Sequence, residues 1–211
     1  MAEKEFPKNP KLETTRLILR KPKRSDWKDL VEGLDDIDVT KQLAHVPNPY
    51  KKKDALNFIQ KARKNYKKKK GYPFFIELKK EKKVIGCIGL DNIKKFDGVV
   101  GTGSWINKKY GGNGYITEAK IAANDFAFNK LGLRRLESEV YPNNTASNKT
   151  QKRMGYKYEG TKRKSVKCKA TGKMHDSNIY GLLKEDWKKA RKKVKKHLEN
   201  KIKKLNKPPK K

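Results

Sequence analysis

Sulfur and imidazole are scarce in this chain, whose 211 residues include two cysteines and three histidines. Cys87 lies in an apolar run and Cys168 among lysines, with no CxxC spacing and no partnered histidines. That pattern supports neither a disulfide framework nor a zinc site. Long apolar runs are also missing, so nothing approaches the length of a membrane span. Met1-Ala2-Glu3-Lys4 opens no signal peptide, and the chain reads as cytosolic. Acidic residues are the other shortage. Against 56 Lys and Arg stand 23 Asp and Glu, a formal charge of +33. Such an excess attracts polyanions: nucleic acid, ribosomes, acidic protein surfaces or anionic ligands. It disfavours polycationic substrates such as polyamines and aminoglycosides, unless a local acidic pocket overrides the field. A lysine-rich background explains the balance equally well, since much of the charge sits in solvated runs such as 67–70.

The length suits one domain with a substantial core. Residues 1–13 are polar, with prolines at 7 and 10, and read as a loose leader. Residues 16–20 form a first strand. Ser25 is a plausible N-cap for a helix whose apolar face is Trp27, Leu30, Val31 and Leu34. Pro47-Asn48-Pro49 breaks the chain, and 54–69 predicts a second helix. Strands follow at 73–78, 84–90 and 99–106; short turns between them favour an antiparallel meander. A helix over 116–131, with Ala119, Ala122, Ala123, Phe126, Ala127 and Leu131 on one face, leads to a strand at 135–140. A strand–helix–strand crossing makes that unit parallel. A helix over 144–154 and a hairpin of 156–166 with 175–183, turning at 170–173, complete an α/β sandwich around a mixed sheet.

Residues 184–211 differ. They hold 14 basic and 3 acidic residues, a net +11, on a helix with a narrow stripe of Trp187, Ala190, Val194, Leu198, Ile202 and Leu205. Pro208-Pro209 ends it. Two readings fit: a docking helix for a ribosome or another polyanion, or a helix packing its stripe on its own domain or a second copy.

Lys109-Tyr110-Gly111-Gly112-Asn113-Gly114-Tyr115 joins the third strand of the meander to the next helix. Glycine permits positive φ and lets a ligand approach the backbone. The first amides of a helix have no internal partners and sit at its positive end. Such a turn is a seat for phosphate or pyrophosphate. Further on stand Asn144-Thr145-Ala146-Ser147, then Gly155-Tyr156 and Glu159-Gly160.

Together these segments resemble the Gcn5-related N-acetyltransferase (GNAT) superfamily, and within it the RimJ/RimL-type ribosomal-protein N-terminal acetyltransferases. The superfamily pattern Gln/Arg-x-x-Gly-x-Gly/Ala is matched by Lys109, Gly112 and Gly114, with Lys in the Gln/Arg place. The branch's Gly-Tyr-Ala-Thr-Glu-Ala is matched by Gly114-Tyr115-Ile116-Thr117-Glu118-Ala119. Its opening TxRLxLR strand is matched by residues 15–20. The resemblance spans about 12–187. It implies a three-layer sandwich with a mixed, mostly antiparallel sheet of about seven strands. It divides the chain into a leader (1–13), an acetyltransferase domain (14–183) and a basic tail (184–211).

It also implies an acetyl-CoA-dependent enzyme. Backbone amides of Tyr110, Gly111, Gly112, Asn113, Gly114 and Tyr115 would hold the pyrophosphate, with Lys109 adding charge. Backbone groups near Trp105 and Ile106 would pair with the pantetheine where two strands splay. Asn144 would contact the pantetheine or cap its helix, and Ser147 would serve the leaving thiolate. Many members of the superfamily use a tyrosine seven residues after that Asn; Gln151 stands there. For the base, Glu77, Asp91, Glu137 and Glu139 are strand carboxylates, of which Glu137 falls where the branch often carries Glu.

An α-amine titrates near ~7.7–8 and a lysine near ~10.4, so a site without an obvious strong base suits an α-amine. The acceptor expected first is therefore a protein N-terminus, of a ribosomal protein among others. A small-molecule amine is the alternative. A silent nucleic-acid- or ribosome-binding protein on the same fold is a third reading. The sequence leaves the oligomeric state open.

Overall fold

Leu17 and Leu19 are fully buried while Ile18 and Arg20 are only partly so, the alternation of a half-covered strand. The computed structural model describes residues 5–206. The start at Met1-Ala2-Glu3-Lys4 and the helix stop at Pro208-Pro209 lie outside them. The strands are β1 (Leu12–Glu13), β2 (Leu17–Arg20), β3 (Tyr72–Leu78), β4 (Lys83–Lys94), β5 (Val99–Ile106), β6 (Arg135–Val140), β7 (Lys157–Lys167) and β8 (Met174–Leu183). They form one eight-stranded sheet in the order β1-β2-β3-β4-β5-β6-β8-β7. Every pairing is antiparallel except β5 with β6. The eighth strand, beyond the seven expected, is β1. Leu12 pairs with Leu19, Phe6 is buried, and the Tyr72 hydroxyl donates to the Pro7 carbonyl. The expected loose leader is thus folded onto the sheet from residue 5, because Phe6 supplies an apolar anchor.

The helices are α1 (Trp27–Leu34), α2 (Ile37–Thr40), α3 (Lys52–Lys67), α4 (Tyr115–Asp125), α5 (Thr145–Arg153) and α6 (Lys184–Leu205). Asp26, not Ser25, organises the entry to α1: its carboxylate accepts from the Lys23 N–H at 2.6 Å, and both arms of Arg20 clamp it. The short α2 has no apolar periodicity and was not legible in advance. α4 runs on into a single π turn, Phe126–Lys130. On one face of the sheet Leu30, Leu34, Ala55 and Ile59 of α1 and α3 meet Phe75, Val84 and Cys87. On the other, α4 and α6 meet Leu17, Leu19, Phe74, Ile88, Leu90 and Leu136. These are three layers.

α6 uses its stripe on its own domain. Trp187, Val194 and Leu198 are buried in the larger core, each contributing about 1.5–3 kcal/mol by area. It runs antiparallel to α4. Near its start, Trp187 Nε1 and Arg191 donate to the Asp125 carboxylate at 2.7–2.9 Å. Further along, Leu198 and Lys201 lie against Gly114. The free thiols are both buried. Cys168 sits at the tip of the β7–β8 hairpin, its Sγ within 3.8–4.0 Å of the Thr40, Lys41 and Leu43 carbonyls. No described helix is long and apolar enough to cross a membrane.

Candidate active site

The parallel pairing of β5 with β6 covers only Val99–Gly101 against Arg135–Glu137. Beyond Gly101 the two strands part and leave a gap. Past that point β5 stays paired to β4, with Cys87 opposite Trp105 and the Asn107 N–H donating to the Ile85 carbonyl. Backbone groups alternate along a strand, so Gly103 and Trp105 share the Asn107 phase and turn toward β4. Ser104 and Ile106 turn toward the gap. Of the two residues expected to meet a pantetheine arm, Ile106 therefore presents its N–H and C=O to the gap; Trp105 spends its own on Cys87. The Trp105 ring packs under α1, where a Cβ on Gly33 would lie 2.9 Å from it.

Both α4 and α5 begin where these parallel strands end, so two helix N-termini flank the gap. The turn into α4 starts at Asn107, whose side-chain oxygen accepts from the Lys109 N–H at 3.0 Å. Gly112 and Gly114 have φ of 77° and 79°. A Cβ on Gly112 would meet nothing within 4 Å, so the turn is open there. The first intrahelical bond of α4 runs from the Glu118 N–H to the Gly114 carbonyl. The amides of Tyr115, Ile116 and Thr117 precede that bond and have no intrahelical acceptor. Asn113 bridges back through its side-chain amide to the Tyr110 and Gly111 carbonyls. Tyr110 leans away to donate to Glu81, which pushes its phenol up to about 12. Lys109 also leaves the turn: its Nζ lies 3.4 Å from Glu32 on α1, not over the glycines.

What steadies the turn was not singled out from the sequence. Arg16 Nη1 donates to the Asn113 carbonyl at 3.0 Å, its Nε to Glu118 at 2.7 Å, and its guanidinium stacks 4.3 Å from the Tyr115 ring centre. Thr14 and the Arg16 N–H both donate to Glu118 Oε1. The available signal was Glu118 itself, an acid in the first turn of a helix among alanines.

At α5, Asn144 Oδ1 accepts from the Ser147 N–H at 3.0 Å, an N-cap as expected. The Ser147 hydroxyl makes no hydrogen bond among the described residues, which leaves it free to donate. Gln151 points inward: its amide donates to Ser138 Oγ at 2.5 Å, and Lys120 of α4 approaches its oxygen at 3.4 Å. Lys120 is 3% exposed, and burial lowers its ammonium to about 8. The Thr102 hydroxyl donates to the Glu137 carbonyl where the strands separate, and meets the Tyr156 hydroxyl at 3.3 Å.

The four strand carboxylates separate by partner. Glu77 is paired with Arg20 and Glu139 with Lys162. Glu137 faces Arg135 at 2.8 Å, and Arg135 also grips Glu159. Asp91 makes no hydrogen bond or ion pair among the described residues. Burial raises its carboxyl above the ordinary value, with the Lys61 ammonium opposing. On the last hairpin, His175 stacks on Tyr141 and Asp176 accepts from the Lys164 N–H, both structural uses. Beside the turn, a cavity of about 540 Å³ is lined by Glu32, Asp35, Asp36, Asn107, Lys108 and Lys109. Its acids are answered by Lys83, Lys108, Lys109 and the Tyr50 N–H, so it is no acidic sink for a polycation.

A GNAT acetyltransferase domain model matches residues 16–157. The uncharacterized N-acetyltransferase p20 of Bacillus licheniformis is 30% identical over 176 residues, covering 83% of this chain and 97% of p20. A GNAT-family acetyltransferase structure from Bacillus anthracis superposes with a TM-score of 0.72 at 25% identity, over 83% of this chain and 99% of that one. RimJ of Mycobacterium smegmatis, solved with CoA-disulfide, shares the fold at a TM-score of 0.75 and 18% identity, over 88% and 91% of the two chains. The chain therefore belongs to the GNAT family of acetyl-CoA-dependent N-acetyltransferases.

Proposed function

We propose that this protein transfers the acetyl group of acetyl-CoA to the α-amine of a protein N-terminus. The pyrophosphate is held by the free amides of Tyr115, Ile116 and Thr117 and by the glycine turn, whose open face at Gly112 fits a close phosphate approach. Ser104 and Ile106 offer backbone groups along the gap for the pantetheine amides. The bound thioester supplies an activated acyl carbon; the chain orients it and manages protons. Ser147, with an uncommitted hydroxyl at the α5 N-terminus, donates toward the sulfur as it leaves. Asn144 holds Ser147 in place through the cap.

The observation that carries the acceptor class is the state of the four strand carboxylates that could serve as a base. Three are tied to Arg or Lys, and none forms the paired acidic wall that a polyamine would need. An amine that is already partly neutral near pH 7 suits this setting. Resemblance to the RimJ/RimL branch points the same way, toward ribosomal proteins as a class. The basic outer surface of α6 then serves approach to a ribosome or other polyanion, with affinity that falls steeply with salt.

The test offers acetyl-CoA with peptides of differing first residue, the same peptides N-terminally blocked, spermidine and an aminoglycoside. The reading predicts acetylation at the α-amine and none on blocked peptides. Turnover of the small amines alone would contradict it.

A further inference from the structure

Asp91 stands at an unusual place. In register across the sheet, Asp91 of β4 lies opposite Gly101 of β5, which lies opposite Glu137 of β6. Two strand spacings separate the carboxylate-bearing backbones, roughly 9–10 Å. This row is the last before β5 and β6 part. Asp91, Gly101 and Gly103 share the face of Cys87 and Trp105, the side covered by α1 and α3.

That face has a floor without side chains. Gly89 is opposite Gly103, and Gly101 follows in the next row. Glycine weakens a strand and marks a place where something approaches the backbone closely. A Cβ on Gly103 would meet nothing within 4 Å, so the space above it is open. A Cβ on Gly89 would collide with Asp91 Oδ2, which shows the carboxylate leaning back over that floor.

We propose that Asp91 is the proton acceptor for the incoming amine. This rests on the acetyltransferase reading but not on the acceptor being a peptide. The acceptor ammonium gives one proton to Asp91. Its freed lone pair forms the C–N bond to the acyl carbon as the C–S bond breaks, with the bonding pair leaving on sulfur. The second N–H proton neutralises that thiolate, which the Ser147 hydroxyl steadies by a hydrogen bond, and the proton on Asp91 passes to solvent. Glu137, the other carboxylate of the row, is held as the partner of Arg135. Asp91 has no such partner, and burial already favours its protonated form. The groups facing it are Lys61 from α3 and the Cys87 thiol on its own strand; β5 contributes only glycines.

The experiment compares wild type with Asp91→Asn, measuring kcat/KM from pH 6 to 10 for an α-amine peptide and, in parallel, up to about pH 11.5 for spermidine, whose amines titrate higher. For whichever amine the wild type uses, the variant is expected to lose at least about 100-fold at pH 7. The deficit should shrink above the amine's own pKa, where no base is required. KM for acetyl-CoA and the melting temperature should hold. Activity within a few-fold of wild type at pH 7, a deficit that stays constant with pH, or loss of acetyl-CoA binding would each overturn the proposal. Independently of any acceptor, carboxyl NMR of the free protein should place Asp91 above the ordinary aspartate midpoint. A midpoint at or below ~3.9 overturns it. Failure of the peptide alone would count against the acceptor class and leave the spermidine comparison to decide the role of Asp91.

Discussion

Arg16 and Glu118 face each other across 102 residues of sequence, the guanidinium Nε 2.7 Å from one carboxylate oxygen while the Arg16 N–H reaches the other at 2.8 Å. The pair ties the second strand of the sheet to the first turn of α4. The same arginine holds the Asn113 carbonyl, so it fixes the shape of the glycine turn from behind.

Glu118→Gln or Arg16→Ala should therefore damage both fold and ligand affinity. Glu118 is 5% exposed, and leaving either charge unpartnered costs about 3 kcal/mol. Chemical denaturation measures the stability loss. Acetyl-CoA affinity should also fall beyond what unfolding explains, in Arg16→Ala because the Asn113 carbonyl loses its tether and in Glu118→Gln because the arginine that supplies the tether is no longer held.

Asp125 closes the other end of α6 by accepting from Trp187 and from both arms of Arg191. Asp125→Ala leaves a buried indole N–H without its acceptor and removes a bidentate pair, a loss of about 2 kcal/mol. Hydrogen exchange should then rise along α6 first. Protection unchanged along α6 would show that its apolar stripe alone holds it.

Lys120 predicts a pH signature. Its folded ammonium is lowered to about 8 from an ordinary 10.5. Between those values the unfolded chain binds more protons, so this lysine makes stability rise with pH across that window. Below about 8 the full penalty of burying the charge is present. Lys120→Met should raise the melting temperature at pH 7, and its advantage should fade toward pH 10.

The glycine turn and the helix after it were legible because their signals are local. Gly112 and Gly114 adopt the positive φ that glycine permits, and Asn144 caps α5 as its residue type suggests. The meander, the parallel crossing and the terminal hairpin follow from turn lengths and alternation in the same way. The gap was legible only through resemblance, since nothing in β5 announces that pairing stops after Gly101. Side-chain choices were harder still. Lys109 bends toward Glu32, a partner on a helix whose position no spacing reveals. Glu137 and Asp91 look alike in sequence, and only the neighbour Arg135 separates them. Phe6 sits among polar residues and prolines, and burial of one ring is enough to dock the segment expected to be loose.

The most direct test of the account is calorimetric titration of acetyl-CoA into wild type and Gly112→Asp. At Gly112 a side chain meets open space, so the variant bears only the strain of φ at 77°, about 1–2 kcal/mol, and should fold. Its carboxylate stands where the phosphates are proposed to lie. Binding by wild type and at least about tenfold weaker binding by folded Gly112→Asp is the predicted result. Equal affinity in the two proteins would contradict the placement of the pyrophosphate on this turn.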